Sequence, residues 1–296
     1  WHDVDRIDED HLLVGDIGRD RVFIIDTETQ IVEWEWDAQS AIPMSEGGVF
    51  PSDWTHLNDV ELLPDDRIMV SLRNQDKVVF LDRETGLQEN WTLGADGDHD
   101  VLYEQHNPEY IPEEQGGPAV LVADSEGHRV VEYQREDGEW NRTWEWSDAE
   151  LRWPRDADRL PNGHTLITDS NGNRVIEVDR SGEIVWSTDV DTPYEADHFG
   201  PGGESGGGES ASRLGLSSRT ATDTAEESIT KRTEDGLKRL YPPIVLNGLL
   251  FASPPWVGPI EITAAFGLLA AVLAWVVFEL RWSGWGVGVE IRRPDR

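Results

Sequence analysis

The sequence predicts an all-β protein, a β-propeller of four-stranded blades, followed by one C-terminal transmembrane helix. Two observations predict the propeller. Short β-branched and aromatic runs alternate with Asp, Asn and Gly turns, and this pattern recurs four times at roughly the length of a four-stranded blade. A third observation, the uncharged Ala/Leu/Val-rich run over residues 262–278, predicts the helix, because with its flanks it reaches the roughly 20 residues that a bilayer core demands.

The first copy begins at His2-Asp3 and runs through Leu12–Gly15 and Val22–Ile25 to Trp34-Glu35-Trp36. The second occupies residues 54–86, where three apolar runs (60–63, 68–72 and 78–81) are separated by Pro-Asp-Asp and Asn-Gln-Asp turns. A third copy runs from His106-Asn107 to Trp144-Glu145-Trp146 with a Pro/Gly-rich insertion at 112–118, and the fourth from Arg155-Asp156 to Ile184-Val185-Trp186. Aligned on Val22, Val78, Val130 and Val175, the copies are spaced by 56, 52 and 45 residues. Each unit can bury its apolar faces only against its neighbours. Four blades are therefore expected to form an arc lacking its N-terminal blades, since the chain opens at Trp1 with no signal peptide before the first copy.

The expected organisation is a propeller over 1–187, an acidic Gly/Ser-rich linker over 188–240, and a Pro-rich interfacial segment over 241–259. A transmembrane helix over 260–281 and a short tail over 282–296 complete it. Gly203-Glu204-Ser205-Gly206-Gly207 matches a nucleophile elbow in letters only, because no strand precedes it and no helix follows. Trp275, Trp282 and Trp285 sit near the far end of the helix, where indoles favour the interface. The alternative for this segment is a buried core helix. Lys231, Arg232, Lys238 and Arg239 before the helix nearly balance Arg281, Arg292, Arg293 and Arg296 after it. The nearer Arg281 and the sequons at Asn90 and Asn141 favour a cell-membrane anchor with the propeller outside.

A formal net charge of -34 and only three lysines, Lys77, Lys231 and Lys238, exclude a nucleic-acid surface, which needs a basic patch. The dispersed acidity reads as a salt-adapted solvated surface. Without cysteine there is neither a disulfide framework nor a thiolate site. No motif calls for a cofactor, and no metal is expected. Asp96-Gly97-Asp98-His99-Asp100 opens like a calcium loop but reaches Asn107 where glutamate should stand, and a centre built from His2, His56 and His106 would need acids that the repeat already explains as scaffold.

What recurs in every copy is read as scaffold: Asp16, Asp124 and Asp169 with the arginines that follow them, Asp3, Asp59 and Asp156, and Trp36, Trp146 and Trp186. One position breaks the pattern. It holds His2, Asn58, His106 and Arg155 just before the first-strand acids, and first strands line a propeller's channel. His56 lies two residues before Asn58, and Arg73 follows Ser71-Leu72 where other copies place an aspartate. These residues form either a solvated polar channel or an anion-binding catalytic centre, with arginines for oxyanions and an imidazole as nucleophile or base.

Asp53-Trp54-Thr55-His56-Leu57-Asn58, Ser71-Leu72-Arg73, Gln105-His106 and Leu160-Pro161-Asn162-Gly163-His164-Thr165 together resemble the arylsulfotransferase family, the 3′-phosphoadenylyl-independent kind built on a six-bladed propeller. The resemblance covers residues 1–187. It implies His106 as the nucleophile that forms a sulfohistidine from a phenolic sulfate ester, with a phenol as acceptor. It also implies His2, His56, Asn58 and Arg73 as ligands of the sulfuryl oxygens, a role the reading of the repeat extends to Arg155. The family's paired cysteines are absent. The alternative is a non-enzymatic, surface-anchored propeller that binds a glycan, peptide or protein partner.

Overall fold

The computed structural model describes residues 1–198, 206–220, 241, 245, 248–249, 252–254 and 257–282. The propeller reading holds. Four antiparallel sheets follow one another along the chain, each in simple sequence order. The first blade contains β1 (Asp3–Arg6), β2 (His11–Asp16), β3 (Arg21–Asp26) and β4 (Val32–Asp37). The second has β5 (Leu57–Leu62), β6 (Ile68–Leu72) and β7 (Lys77–Asp82). Its outer strand is broken into β8 (Gly86–Leu87) and β9 (Leu93–Gly94), both paired with β7. The third comprises β10 (His106–Ile111), β11 (Ala119–Asp124), β12 (Arg129–Glu136) and β13 (Glu139–Trp146), and the fourth β14 (Pro154–Arg159), β15 (Thr165–Asp169), β16 (Arg174–Val178) and β17 (Ile184–Asp189).

Every residue of the second strands β6, β11 and β15 is buried, because a blade is covered on both faces and its central strands meet no water. Leu13, Val22, Ile24 and Trp36 of the first blade pack on Leu57, Val60, Val70 and Leu81 of the second. Met69, Val78 and Phe80 then pack on Tyr110, Val122 and Val131 of the third, and Leu121, Val130, Trp144 and Trp146 on Ala157, Ile167 and Ile176 of the fourth. Near the axis the blades converge and side chains must shrink. A Cβ on Gly15 would lie 2.7 Å from Leu57 Cδ2.

The innermost strands are stitched by carboxylates. Asp3 and Asp5 of β1 accept from the backbone N–H groups of Val60 (2.9 Å) and Leu62 (3.0 Å). Glu61 accepts from Tyr110 N–H (3.3 Å), Glu109 from Arg159 N–H (2.6 Å), and Asp156 from Ala196 N–H (3.2 Å). The last of these extends the series. Tyr194-Glu195-Ala196 lies against β14 as each inner strand lies against its predecessor, so the propeller-like part runs past the expected boundary at 187.

Three scaffold expectations are refined. Asp124 and Asp169, read as scaffold, are fully buried and hold Arg129 Nε at 2.6 Å and Arg174 Nε at 2.7 Å, while burial pushes each carboxyl up to about 6. Trp186 is not the counterpart of Trp36 and Trp146. It pairs with Glu177 as Trp34 pairs with Ile24 and Trp144 with Glu132, so Thr188 takes the Trp36 position. The linker expected over 188–240 is, at 206–220, laid on the blades. Gly208 N–H donates to Arg159 O, Ser210 N–H to Gln115 O, and Arg219 and Ser147 exchange strand-like bonds with 145 and 219. A one-turn helix α1 (Ala211–Leu214) sits there, with Ala211 N–H on Glu132 at 2.7 Å.

Helix α2 (Pro259–Trp282) is long and apolar enough to cross a membrane, with mean hydropathy 2.2 over Ile260–Trp282. Leu268, Leu273, Trp275 and Val277 are all exposed, so its apolar surface is not one stripe facing a core, as a buried amphipathic helix would have. The basic residues at 231–239 and 292–296, the elbow-like serine at 205, the tail over 283–296 and most of the interfacial segment fall outside the described residues.

Removing the Asp169 carboxylate takes the buried acceptor from the Arg152 N–H (2.8 Å) and leaves Arg174 its ion pairs with Asp148 (3.1 Å) and Glu150 (3.2 Å). Asp169→Ala is expected to lose about 1–3 kcal/mol of stability, measured by denaturant unfolding, and a double-mutant cycle with Arg174→Ala should show coupling.

Candidate active site

The stitching carboxylates give the alignment that places the site. Asp3, Asp59, Asn107, Asp156 and Glu195 are equivalent, so the residues before them, His2, Asn58, His106, Arg155 and Tyr194, form one ring at the start of the inner strands. A ladder irregularity accompanies each position inside the sheets: Asn58 and Arg155 are the extra residues of bulges in β5 and β14, and β10 shifts register just after His106. Such bulges re-aim side chains at the rims of sheets. A second ring stands two residues earlier, where His56, Glu104, Trp153 and Thr192 all have left-handed backbones with φ of 48, 48, 58 and 46°. Glycine would adopt this conformation at no steric cost, whereas side chains there cost about 1 kcal/mol each.

His106 is buried, 3% exposed. Its Nδ1 lies 2.7 Å from Ser125 Oγ, and that hydroxyl lies 2.6 Å from Pro154 O. A carbonyl only accepts, so the single hydroxyl proton goes to Pro154 and Ser125 must accept from His106 Nδ1–H. The lone pair of the neutral ring therefore resides on Nε2. Ser170, the counterpart in the fourth blade, donates to Pro193 O at 2.6 Å in the same way, so a scaffold bond fixes the tautomer. Burial, then Arg73 and Arg155, hold the imidazole well below its ordinary 6.5.

The other sequence-predicted residues gather around it. His2 and His56 have ring centroids 6.1 Å apart. Burial lowers both, with Arg73 adding to it for His56. Asp53 orients His56 through Nδ1 at 2.6 Å. Arg73, in a 3-10 turn after β6, pairs through Nη2 with Glu104, while its buried Nε has no partner. Beside this pair opens a cleft of about 610 Å³ bounded by Gly48, Val49, Asp53, Arg73, Asn74 and Glu104. Asn58, 1% exposed, donates from Nδ2 to Gln105 O at 2.9 Å and so braces the strand that carries His106. Behind the ring, burial raises Asp59 and Asp156 well above ordinary carboxylates.

Sequence reasoning missed Tyr194, Trp153, Ser125 and Glu104. Tyr194 Oη is 3.4 Å from His2 Nε2, and its ring centroid lies 5.7 Å from that of His2 and 6.1 Å from that of His106. The Arg155 guanidinium lies over the rings of Trp153 (4.2 Å to the centroid) and Tyr194 (4.7 Å). Trp153 shares with His56 an offset of two residues before a ring member, a signal open to inspection in the sequence. Tyr194 lay beyond the last recognised repeat. Among the described residues, His11, Asp26 and Glu33 bring ligand atoms within 4.8 Å of one another, on the first blade and outside the ring. They are the group with metal-like spacing.

Residues 6–125 match the arylsulfotransferase (ASST) family model. The matched stretch contains His56, Asn58, Arg73 and His106, and it supports that family for this part of the chain. No curated protein matches significantly. Among solved structures, virginiamycin B lyase from Staphylococcus aureus is 11% identical over 64% of this chain and 56% of its own, with a TM-score of 0.43. The periplasmic gluconolactonase of Pseudomonas aeruginosa is 16% identical over 65% and 55%, TM-score 0.46. A protein of unknown function from Bacteroides caccae is 18% identical over 66% and 63%, TM-score 0.46. The chain spans less than two thirds of the length of each.

The tautomer assignment is open to measurement. In ¹⁵N NMR spectra of the full chain, His106 is expected to be protonated on Nδ1 alone, and Ser125→Ala to give a mixture of tautomers without unfolding.

Proposed function

We propose that the protein is a membrane-anchored arylsulfotransferase that moves a sulfuryl group from a phenolic sulfate ester to a phenol. One observation carries this reading: a buried neutral imidazole, its Nδ1 proton committed to Ser125, beside two guanidiniums. His106 Nε2 attacks sulfur, the N–S bond forms as the S–O(aryl) bond breaks, and the phenoxide leaves with the bonding pair. An acceptor phenol oxygen then attacks the same sulfur. The N–S pair returns to Nε2, and the acceptor's proton neutralises the phenoxide released in the first half.

Arg73 and Arg155 bind the sulfuryl oxygens, where charge concentrates during transfer. Among the described residues the buried Arg73 Nε–H is uncommitted, and Glu104 holds Nη2. His2 and His56 line the leaving-group side; His56 gives its Nδ1–H to Asp53, so its neutral ring turns the Nε2 lone pair to the opening. Asn58, tied to Gln105 O, offers its second amide proton. The donor and acceptor enter through the cleft beside Arg73. Helix α2 crosses the cell membrane once with the propeller outside, and the acidic surface keeps the protein hydrated at high salt.

Incubating the full chain with a chromogenic aryl sulfate at high salt, followed by mass spectrometry, is expected to reveal one acid-labile sulfuryl group on His106. His106→Ala should abolish both adduct and phenol release. A folded protein that gives neither belongs to the ligand-binding propellers instead. The pH profile offers a separate check. A lowered imidazole pKa keeps the nucleophile neutral to more acidic pH, so kcat/KM should show no acid limb from His106 at 6.5, only one lying lower.

A further inference from the structure

We propose that Trp153 and Tyr194 are specificity-determining walls that direct the sulfuryl group to a phenol rather than to water. The proposal rests on the sulfotransferase reading above. A sulfohistidine has two fates that differ only in the incoming oxygen. A phenol oxygen can attack sulfur as the N–S bond breaks, giving a new aryl sulfate. A water oxygen can do the same, giving inorganic hydrogen sulfate and free His106. Water is present at tens of molar, so a transferase must keep it away from the intermediate.

The geometry meets that need. Trp153 and Tyr194 both stand edge-on to the His106 ring, each with centroids 6.1 Å away and interplanar angles of 82 and 77°. The Arg155 guanidinium lies over both rings, 4.2 Å from the Trp153 centroid and 4.7 Å from that of Tyr194. The sulfuryl-binding cation is thus set in an aromatic frame, which displaces water on the blade-four side and presents flat π surface to an aryl group. Both residues reach this place by means the scaffold does not require. Trp153 occupies a left-handed backbone position, φ 58°, where a bulky side chain is disfavoured. Tyr194 comes from the strand-like segment after the fourth blade. It takes the ring position that His2, Asn58, His106 and Arg155 fill elsewhere.

The test is the partition of product. The full chain and its variants are given an aryl sulfate donor with and without a phenolic acceptor, and released donor phenol, sulfated acceptor and inorganic sulfate are measured together. Wild type is expected to make sulfated acceptor with little sulfate. Tyr194→Ala and Trp153→Gly, the latter suited to the left-handed backbone, should raise the sulfate-to-transfer ratio about tenfold or more while the His106 adduct still forms. Tyr194→Phe, which keeps the wall, should keep the wild-type sulfate-to-transfer ratio whatever it does to the overall rate. Phenol release by wild type with an unchanged ratio in both wall variants overturns this proposal and leaves the sulfotransferase reading intact. No adduct and no phenol release in wild type overturns that reading itself. Circular dichroism of each variant separates either result from misfolding.

Discussion

Each inner strand of the propeller is registered against the one before it by a carboxylate that accepts a backbone N–H. Asp3 on Val60, Glu61 on Tyr110, Glu109 on Arg159 and Asp156 on Ala196 form one series. The contact is short and directional, and it acts where the blades are narrowest. A slip of one residue in any inner strand would turn its mouth residue to the opposite face of the sheet. The ring of His2, Asn58, His106, Arg155 and Tyr194 depends on that register more than on any contact among its own members. The apolar packing between blades supplies most of the burial, but it would tolerate small displacements that the site would not.

The electrostatics of the ring follow from the same architecture. In a chain with net charge -34, burial raises the Asp59 and Asp156 carboxyls behind the ring well above the ordinary carboxylate range. Glu104 pairs with Arg73 and orients that side chain. Three imidazoles held below their ordinary range present uncharged nitrogen to the opening. The scaffold's serine hydroxyl, shared by the third and fourth blades, commits the Nδ1–H of His106 and leaves that ring's lone pair on Nε2.

The fold was legible because strands alternate and turns recur: aligning Val22, Val78, Val130 and Val175 alone places the small residues Gly15, Ser71, Ala123 and Thr168 opposite one another. The site was legible where a repeat was broken, as at Arg73, or where a ring position held a residue unlike its counterparts, as at His106. It was not legible where function borrows scaffold. Ser125 looks like its twin Ser170, and only the short contact to His106 separates them. Tyr194 escaped because the blade it would begin is not continued by a recognisable repeat, and Trp153 because tryptophans abound in these blades as packing residues. The misplacement of Trp186 has a related cause, since a two-residue offset in β17 is invisible until the ladder is drawn.

The docking of residues 206–220 changes how the propeller relates to its anchor. Because Arg219 is hydrogen-bonded to Glu145 and Ser147, the leash to helix α2 begins at Thr220 instead of at the last strand. Tyr241 is bonded to Thr263 of that helix at 3.0 Å, so covalent geometry limits the span from Thr220 to Tyr241 to about 70 Å, against about 180 Å for a chain free from the end of β17. Whatever surface takes up α2 is therefore held much nearer the blades than the length of chain between them alone would allow.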